Sequence, residues 1–522
     1  MNVSPFLQNP TLLHLLSLSQ IHYISQTNKN TVTPITMTTG KVHVLVFPYP
    51  AQGHMLPLLD LTHQLALRGV SITILVTPKN LPILHPILSN HPSIKTIVLP
   101  FPPHPSIPPG IENVKDLPIQ AFVSMMCALH ELHRPIVDWF RSHPDPPAAI
   151  ISDMFLGWTH HLAVELGIKR FEFSPSGAFA LSVIYSLWRN MPQRDDPNDE
   201  SQVVEFPEIP NSPKYPWWQL STVFRSYVAG DPVSEFIRGG FRGNMESWGL
   251  VVNSFTELEG LYLQHLRKDL GHDRVWAVGP LLPSNKDDPS GPVQRGGSST
   301  VSVEEIKSWL DAREDETVVY VCFGSQAVLS KEQVRELALG LEKSGVNFVL
   351  CVKDPTKGGH VEAGDCAIPL GFEDRVAGRG IVIRGWAPQV MILRHPAVGA
   401  FLTHCGWNSV LEGVVAGVAL LCWPMGADQF SNATLLVEQL KVGIRVCEGA
   451  RTVPDSNVVA RVVADSVSEK HVEMREQVKV MREAALGAVK DGGSSVKDLD
   501  GLVDHLATLQ TSNNLQSKQN GK

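Results

Sequence analysis

The stretch KVHVLVFPYPAQGHMLPLLDLTHQLALRGVSITILV, residues 41–76, decides the fold. Residues 42–47 form an almost unbroken apolar run, as expected of a strand buried on both faces of a sheet. Met55, Leu58, Leu59, Thr62, Leu65 and Ala66 then recur at helical spacing, and Gly69 stops the stripe. Ser71–Val76 is apolar again. Strand, helix and strand in this order predict a parallel sheet with a crossover helix, the α/β class.

The same alternation continues outward. Residues 148–152 read as another strand, and 201–218, rich in Pro and aromatics without period, as a long surface loop. Residues 279–299 (GPLLPSNKDDPSGPVQRGGSS) are the best linker candidate. Beyond them the pattern restarts with a strand over 317–323. Ser330 and Gln333 are spaced as a capping box for a helix carrying Val334, Leu337, Ala338 and Leu341 and ending near Gly345. Further strands are expected at Asn347–Val352, 380–385, 399–403 and 418–423. Two similar domains result, over 41–285 and 286–490, with a helix over 491–510 expected to pack back on the first. Residues 1–40 hold a single charge, Lys29, with no basic segment before their apolar stretch and no Arg, so neither a secretory signal nor a transit peptide is expected. They read as a disordered extension upstream of an alternative start at Met37, and 511–522 as a disordered tail.

Composition narrows the function classes. The 522 residues carry 44 Lys and Arg against 52 Asp and Glu, a formal charge of −8, which disfavours nucleic acid as a partner. No apolar run reaches the roughly 18–20 residues of a membrane helix. The seven cysteines form no C-x-x-C pair and read as reduced thiols, without a disulfide framework or zinc site. A cytoplasmic monomer is expected.

Ligands of open α/β sheets bind beyond the carboxyl ends of the strands, so the residues just past each strand matter. In the first half these are His54 and Asp153. His54 lies at a helix start, where the helix dipole favours a neutral, base-competent ring, and Asp153 could orient it. A helix cap or a satisfied polar group is the plainer reading of each. In the second half, the segment GAFLTHCGWNSVLEGVVAG runs from a strand through a tight turn into a helix. Free N–H groups at such a start bind anions, and His404, Asn408 and Ser409 add side-chain donors. Glu412, one turn on, can accept from a vicinal diol. Trp386 offers a flat face for a base, and Asp428 with Gln429 suits sugar hydroxyls. Trp386 and Trp407 as core aromatics, with Glu412 a solvated helix residue, is the alternative.

Residues 386–429 (WAPQVMILRHPAVGAFLTHCGWNSVLEGVVAGVALLCWPMGADQ) resemble the complete signature box of plant secondary-product UDP-glycosyltransferases, inverting family 1 enzymes of the two-Rossmann GT-B fold. The likeness covers about 41–509 and includes FPYPAQGHMLPLLDL and WLDAREDETVVYVCFGS. LVTPKNLP, ISDMFLGW and LPFPPHPSIPPGIENVKDLP are similar to the branch of flavonol 7-O-glycosyltransferases and hydroxybenzoate glucosyltransferases. The resemblance implies His54 as general base with Asp153 its partner. It implies Trp386 stacked on uracil with the Ala387 backbone and Gln389 nearby, and Glu412 on the ribose. His404, Asn408, Ser409 and Ser325 would contact the diphosphate, and Trp407, Asp428 and Gln429 the sugar. Gln in the last position is associated with UDP-glucose.

The expected activity is therefore inverting transfer of glucose from UDP-glucose to a flavonoid or other small phenolic, giving a β-O-glucoside. UDP-glucose is a co-substrate here, and neither a cofactor nor a metal is required. Asp498-Leu499-Asp500 spells D-x-D but falls in a helical stretch far from a strand end and reads as chance. Another UDP-sugar, glucose ester formation, or a non-catalytic UDP-sugar binder are the alternatives. A dinucleotide-dependent oxidoreductase would need G-x-G-x-x-G, which neither PAQGHM nor FGSQAV supplies.

Overall fold

The computed structural model describes residues 42–117, 121–282, 299–353 and 368–520. The extension expected over 1–40 lies outside them, as does most of the linker candidate. The apolar run after Val42 forms strand β1 (His43–Phe47), and the stripe after it forms a helix, Gln52–Leu67. Gly69 turns the chain at φ 81°, a left-handed conformation that side chains resist. Strand β2 (Ser71–Val76) then lies parallel to β1, with Ser71 opposite His43. After β3 (Lys95–Val98), β4 (Ala149–Asp153) and β5 (Lys169–Ser174) comes a hairpin of β6 (Val203–Glu205) and β7 (Lys214–Pro216). Strands β8 (Gly249–Val252) and β9 (Val275–Ala277) complete a seven-stranded parallel sheet in the order β3-β2-β1-β4-β5-β8-β9.

The second sheet comprises β10 (Val318–Cys322), β11 (Asn347–Val352), β12 (Gly380–Arg384), β13 (Val398–Thr403), β14 (Ala419–Cys422) and β15 (Gly443–Arg445). Its order is β12-β11-β10-β13-β14-β15. Ser330 and Gln333 cap the helix Lys331–Ser344 reciprocally: the Gln333 N–H donates to Ser330 Oγ and the Ser330 N–H to Gln333 Oε1, at 3.3 and 2.9 Å. Both sheets reverse strand order beside their first strand, at β1/β4 and at β10/β13. Those two switch points are where crevices open in sheets of this kind.

Each face of β1 is buried. Val44 and Val46 join one apolar cluster and Leu45 and Phe47 another, which explains the unbroken apolar run. The second of these clusters also contains Val318, Tyr320 and Phe401, so it runs without a gap from the first sheet to the other.

Two stretches differ from the sequence reading. Residues 201–218 contain the β6/β7 hairpin, which is partly exposed at the surface but buries Phe206, Ile209, Tyr215 and Trp217, so the stretch is not an irregular surface loop throughout. Irregular backbone hides periodicity, yet large aromatics still gain by leaving water. The last helix runs over Ser494–Asn520, past the point where a disordered tail was expected. No Pro or Gly between 502 and 520 stops it. Among the described residues no helix is long and apolar enough to cross a membrane, and all six described cysteines are free.

Candidate active site

Strands β1 and β4 are neighbours, with Phe47 opposite Ser152, so the residues just past their carboxyl ends meet at the first switch point. His54, in the first turn after β1, places Nδ1 2.9 Å from Oδ2 of Asp153, the last residue of β4. The other Asp153 oxygen accepts the Phe155 N–H at 2.9 Å, so the residue is both a cap and a partner. Asp153 is fully buried, whereas the His54 side chain is 17% exposed. An ionised carboxylate only accepts, so Nδ1 carries the hydrogen and a neutral ring has its lone pair on Nε2. The ring stacks on Phe155 (centroids 4.7 Å apart) and meets the edge of Tyr49, which itself stacks on Phe122. Burial, then the Asp153 charge, push the Tyr49 phenol well above its ordinary range, and it donates to the Phe122 carbonyl at 3.0 Å.

At the second switch point Gly324 follows β10 and His404 follows β13. A Cβ on Gly324 would lie 2.6 Å from the His404 ring, and one on Gly406 2.5 Å from its Nε2. Only glycine lets both backbones close on the imidazole, and Gly324 sits at φ 74°. Nδ1 of His404 is buried with no hydrogen-bond partner, and burial pushes the ring down to about 4. It is neutral. The helix Trp407–Ala416 begins directly after, with Gly406 at its N-cap and so no side chain to satisfy the first amides. Ser325 follows Gly324 and is half-buried.

Gln389 organises the next part. Its Nε2 donates to Glu412 Oε2 at 2.6 Å and to Ser409 Oγ at 3.1 Å, while its Oε1 accepts from the Tyr320 hydroxyl at 3.3 Å. Trp386 is half-buried past the end of β12, and Ala387 after it is buried. Gln429 accepts at Oε1 from the Met425 and Gly426 N–H groups at 2.8 and 3.0 Å, so the oxygen of its amide is taken up by the turn before it. Asp428 precedes it at the helix start. Burial raises the Asp428 carboxyl, against hydrogen bonds from Ser176 and Asn432 that favour its charge.

Two residues of the box reach into the first domain. Trp407 is 3% exposed, and its Nε1 donates to the Asn253 carbonyl at 2.6 Å. Its indole is thus a peg between the domains, as the core-aromatic alternative had it. Asn408 donates through Nδ2 to the carbonyl of Gly53, the residue before His54, at 2.9 Å. Ser176, Gly177 and Asn253 were missed by the sequence reading. They lie just past β5 and β8, so the strand-end rule applied to every strand would have found them. In the D-x-D sequence, Asp498 accepts from the Ala277 N–H and Asp500 pairs with Arg68, both at 2.7 Å. Those are structural partners. A small pocket lies between Val183 and Leu187 on one side and Asp428 and Ser431 on the other.

Residues 298–475 match the family of UDP-glucuronosyl and UDP-glucosyl transferases. UDP-glycosyltransferase 89B2 of Stevia rebaudiana is 61% identical over 475 residues, covering 91% of this chain and all of that one. A flavonol 3-O-glucosyltransferase of Arabidopsis thaliana is 58% identical over 472 residues, 90% of this chain and 97% of the relative. The structure of Arabidopsis thaliana UGT89C1 complexed with UDP-L-rhamnose superposes with a TM-score of 0.74 at 42% identity, over 90% of this chain and all of that one. The same protein complexed with quercetin gives 0.72 at 40%, with the same coverage. Identity at this level, over nearly the whole length of the relatives, leads to one conclusion: the chain belongs to the family 1 plant UDP-glycosyltransferases and is a glycosyltransferase of the GT-B fold.

Proposed function

We propose that this enzyme transfers glucose from UDP-glucose to a hydroxyl of a flavonoid or other small phenolic, with inversion, to give a β-O-glucoside. The observation that carries the reading is the His54–Asp153 pair at 2.9 Å, set among Tyr49, Phe122 and Phe155. His54 Nε2 takes the proton of the acceptor hydroxyl, and Asp153 stabilises the imidazolium that forms. The oxygen attacks the anomeric carbon from the face opposite UDP. The leaving diphosphate meets the first amides of Trp407–Ala416 with Ser325, Asn408, Ser409 and His404, which acts as a neutral donor and not as a charge. Glu412, held by Gln389, accepts from the ribose. Trp386 stacks on the uracil beside the Ala387 backbone, while Asp428, the Gln429 amide nitrogen and the Trp407 backbone hold the sugar.

Gln429 and the flavonol glucosyltransferase at 58% identity support glucose. The relative bound to UDP-L-rhamnose favours rhamnose as the second reading, and its quercetin complex supports a flavonol acceptor. Mass spectrometry of products from a flavonol and hydroxybenzoate panel, with UDP-glucose and UDP-rhamnose in parallel, tests both. We expect flavonol glucosides by mass, and in the NMR spectrum of the isolated product an anomeric coupling of the β form. A rhamnoside as the main product would move the donor to the second reading, and no glycoside from any acceptor would overturn the proposal.

A further inference from the structure

Arg170 lies on β5, is 1% exposed, and takes no part in the proposed transfer of the sugar. Its guanidinium is bonded on every side. Nε donates to Ser152 Oγ and Thr159 Oγ1, both at 2.9 Å. One terminal nitrogen donates to Asn244 Oδ1 at 2.9 Å and Ser247 Oγ at 2.6 Å, and the other to the backbone carbonyl of Asp153 at 3.2 Å. Every one of these acceptors is uncharged, although a buried guanidinium is costly without a counter-charge. The buried carboxyls whose charge favours it are Glu172, which accepts from the Tyr185 hydroxyl and which burial pushes up to about 7, and Asp153.

Asn244 completes the arrangement. Its Nδ2 donates to the carbonyl of Met154 at 2.8 Å, so the consecutive carbonyls of residues 153 and 154 are gripped by two side chains that also bond each other. The helix Pro232–Met245, which carries Asn244, packs so closely on this turn that a Cβ on Gly157 would lie 1.9 Å from the Gly240 carbonyl oxygen. This turn is where the chain leaves β4 and where the Asp153 side chain must face His54.

We propose that Arg170 is a positioning residue for glycosyl transfer, holding the 153–154 backbone together with Asn244 so that the Asp153 carboxylate meets His54 Nδ1. The proposal rests on His54 being the general base. A displaced Asp153 no longer supports the imidazolium, so the loss should fall on acceptors whose proton the base must remove. Donor binding, built from the second domain, should be spared.

The test compares turnover of a weakly acidic phenol with that of a nitrophenol already ionised at the assay pH, using the UDP-sugar the wild-type enzyme accepts. For Arg170→Met and Asn244→Ala, turnover of the weakly acidic phenol is expected to fall about 10²-fold, the low end of what a general base contributes. The ionised acceptor should lose several times less, KM for the donor should stay near wild type, and Arg170→Lys should recover part of the loss. Equal loss for both acceptors would reduce Arg170 to a structural role and overturn the proposal. His54→Ala, run alongside, separates the two readings: if it shows no preference between acceptors, the base assignment itself fails. If Arg170→Met does not fold, the Arg170→Lys and Asn244→Ala enzymes decide by the same ratio.

Discussion

Held between the backbones of Gly324 and Gly406, the His404 imidazole stays neutral down to about pH 4, whereas in an unfolded chain it titrates near 6.5. As pH falls below 6.5 the unfolded chain binds a proton that the native state refuses. Its contribution to stability is therefore complete above pH 6.5 and lost as pH falls towards 4, by up to about 3 kcal/mol. Urea midpoints of wild type and His404→Gln across that window measure it. The variant should show the shallower loss on acidification, and parallel curves would refute the assignment. At this scale much was legible in the sequence. The chain order of the box places His404, Asn408, Ser409 and Glu412 along one turn and helix, and that adjacency is local. The direction of Trp407 was not legible, because its partner, the Asn253 carbonyl, lies 154 positions away.

The elements meet the site through their ends. The helix Ala178–Asn190 starts with two amides, of Ala178 and Phe179, that donate to the buried Glu259 carboxylate at 2.8 Å each. Burial raises that carboxyl, while these amides and Ser254 favour its charge. The Trp407 indole closes over the same spot, and a Cβ on Gly177 would lie 2.7 Å from both the Glu259 carboxylate and the indole. Gly177→Ala is therefore expected to cost about 1–3 kcal/mol, as overpacking does. Chemical denaturation would measure the loss. In a Trp407→Phe background, where the indole no longer reaches Gly177, the cost should shrink; an undiminished cost would show that the peg is not what the methyl meets. The strands named from the sequence and the Ser330–Gln333 capping box arise from short-range pattern, which is why they were readable. The 201–218 hairpin did not, because its aromatics pack without a period.

On the scale of the whole molecule, the chain returns to the first domain at its end. Leu499, Leu502 and Leu506 of the last helix are buried in the cluster that holds Val44, Val46 and Trp276. Leu502→Ala and Leu506→Ala should each cost about 2–5 kcal/mol, the range for truncating a buried leucine. Below the midpoint, UDP affinity should be retained, since the proposed UDP contacts lie in the second domain. Loss of UDP binding without loss of stability would contradict this division. Between the domains, the Trp407 peg and the Asn408 bond to the Gly53 carbonyl join the second domain to the helix that carries His54.

By itself the sequence determined what is local: apolar runs that must be strands buried on two faces, helices marked by period and caps, and the residues that stand just past the strands it named. These come from backbone hydrogen bonding and from the spacing of side chains along one element. Only the tertiary structure decided which strand ends face each other. His54 and Asp153 are 99 positions apart, and Arg170 and Asn244 are 74. They meet because β1, β4 and β5 are neighbours and a helix from further along the chain closes over the turn, and no periodicity in the chain names such a partner.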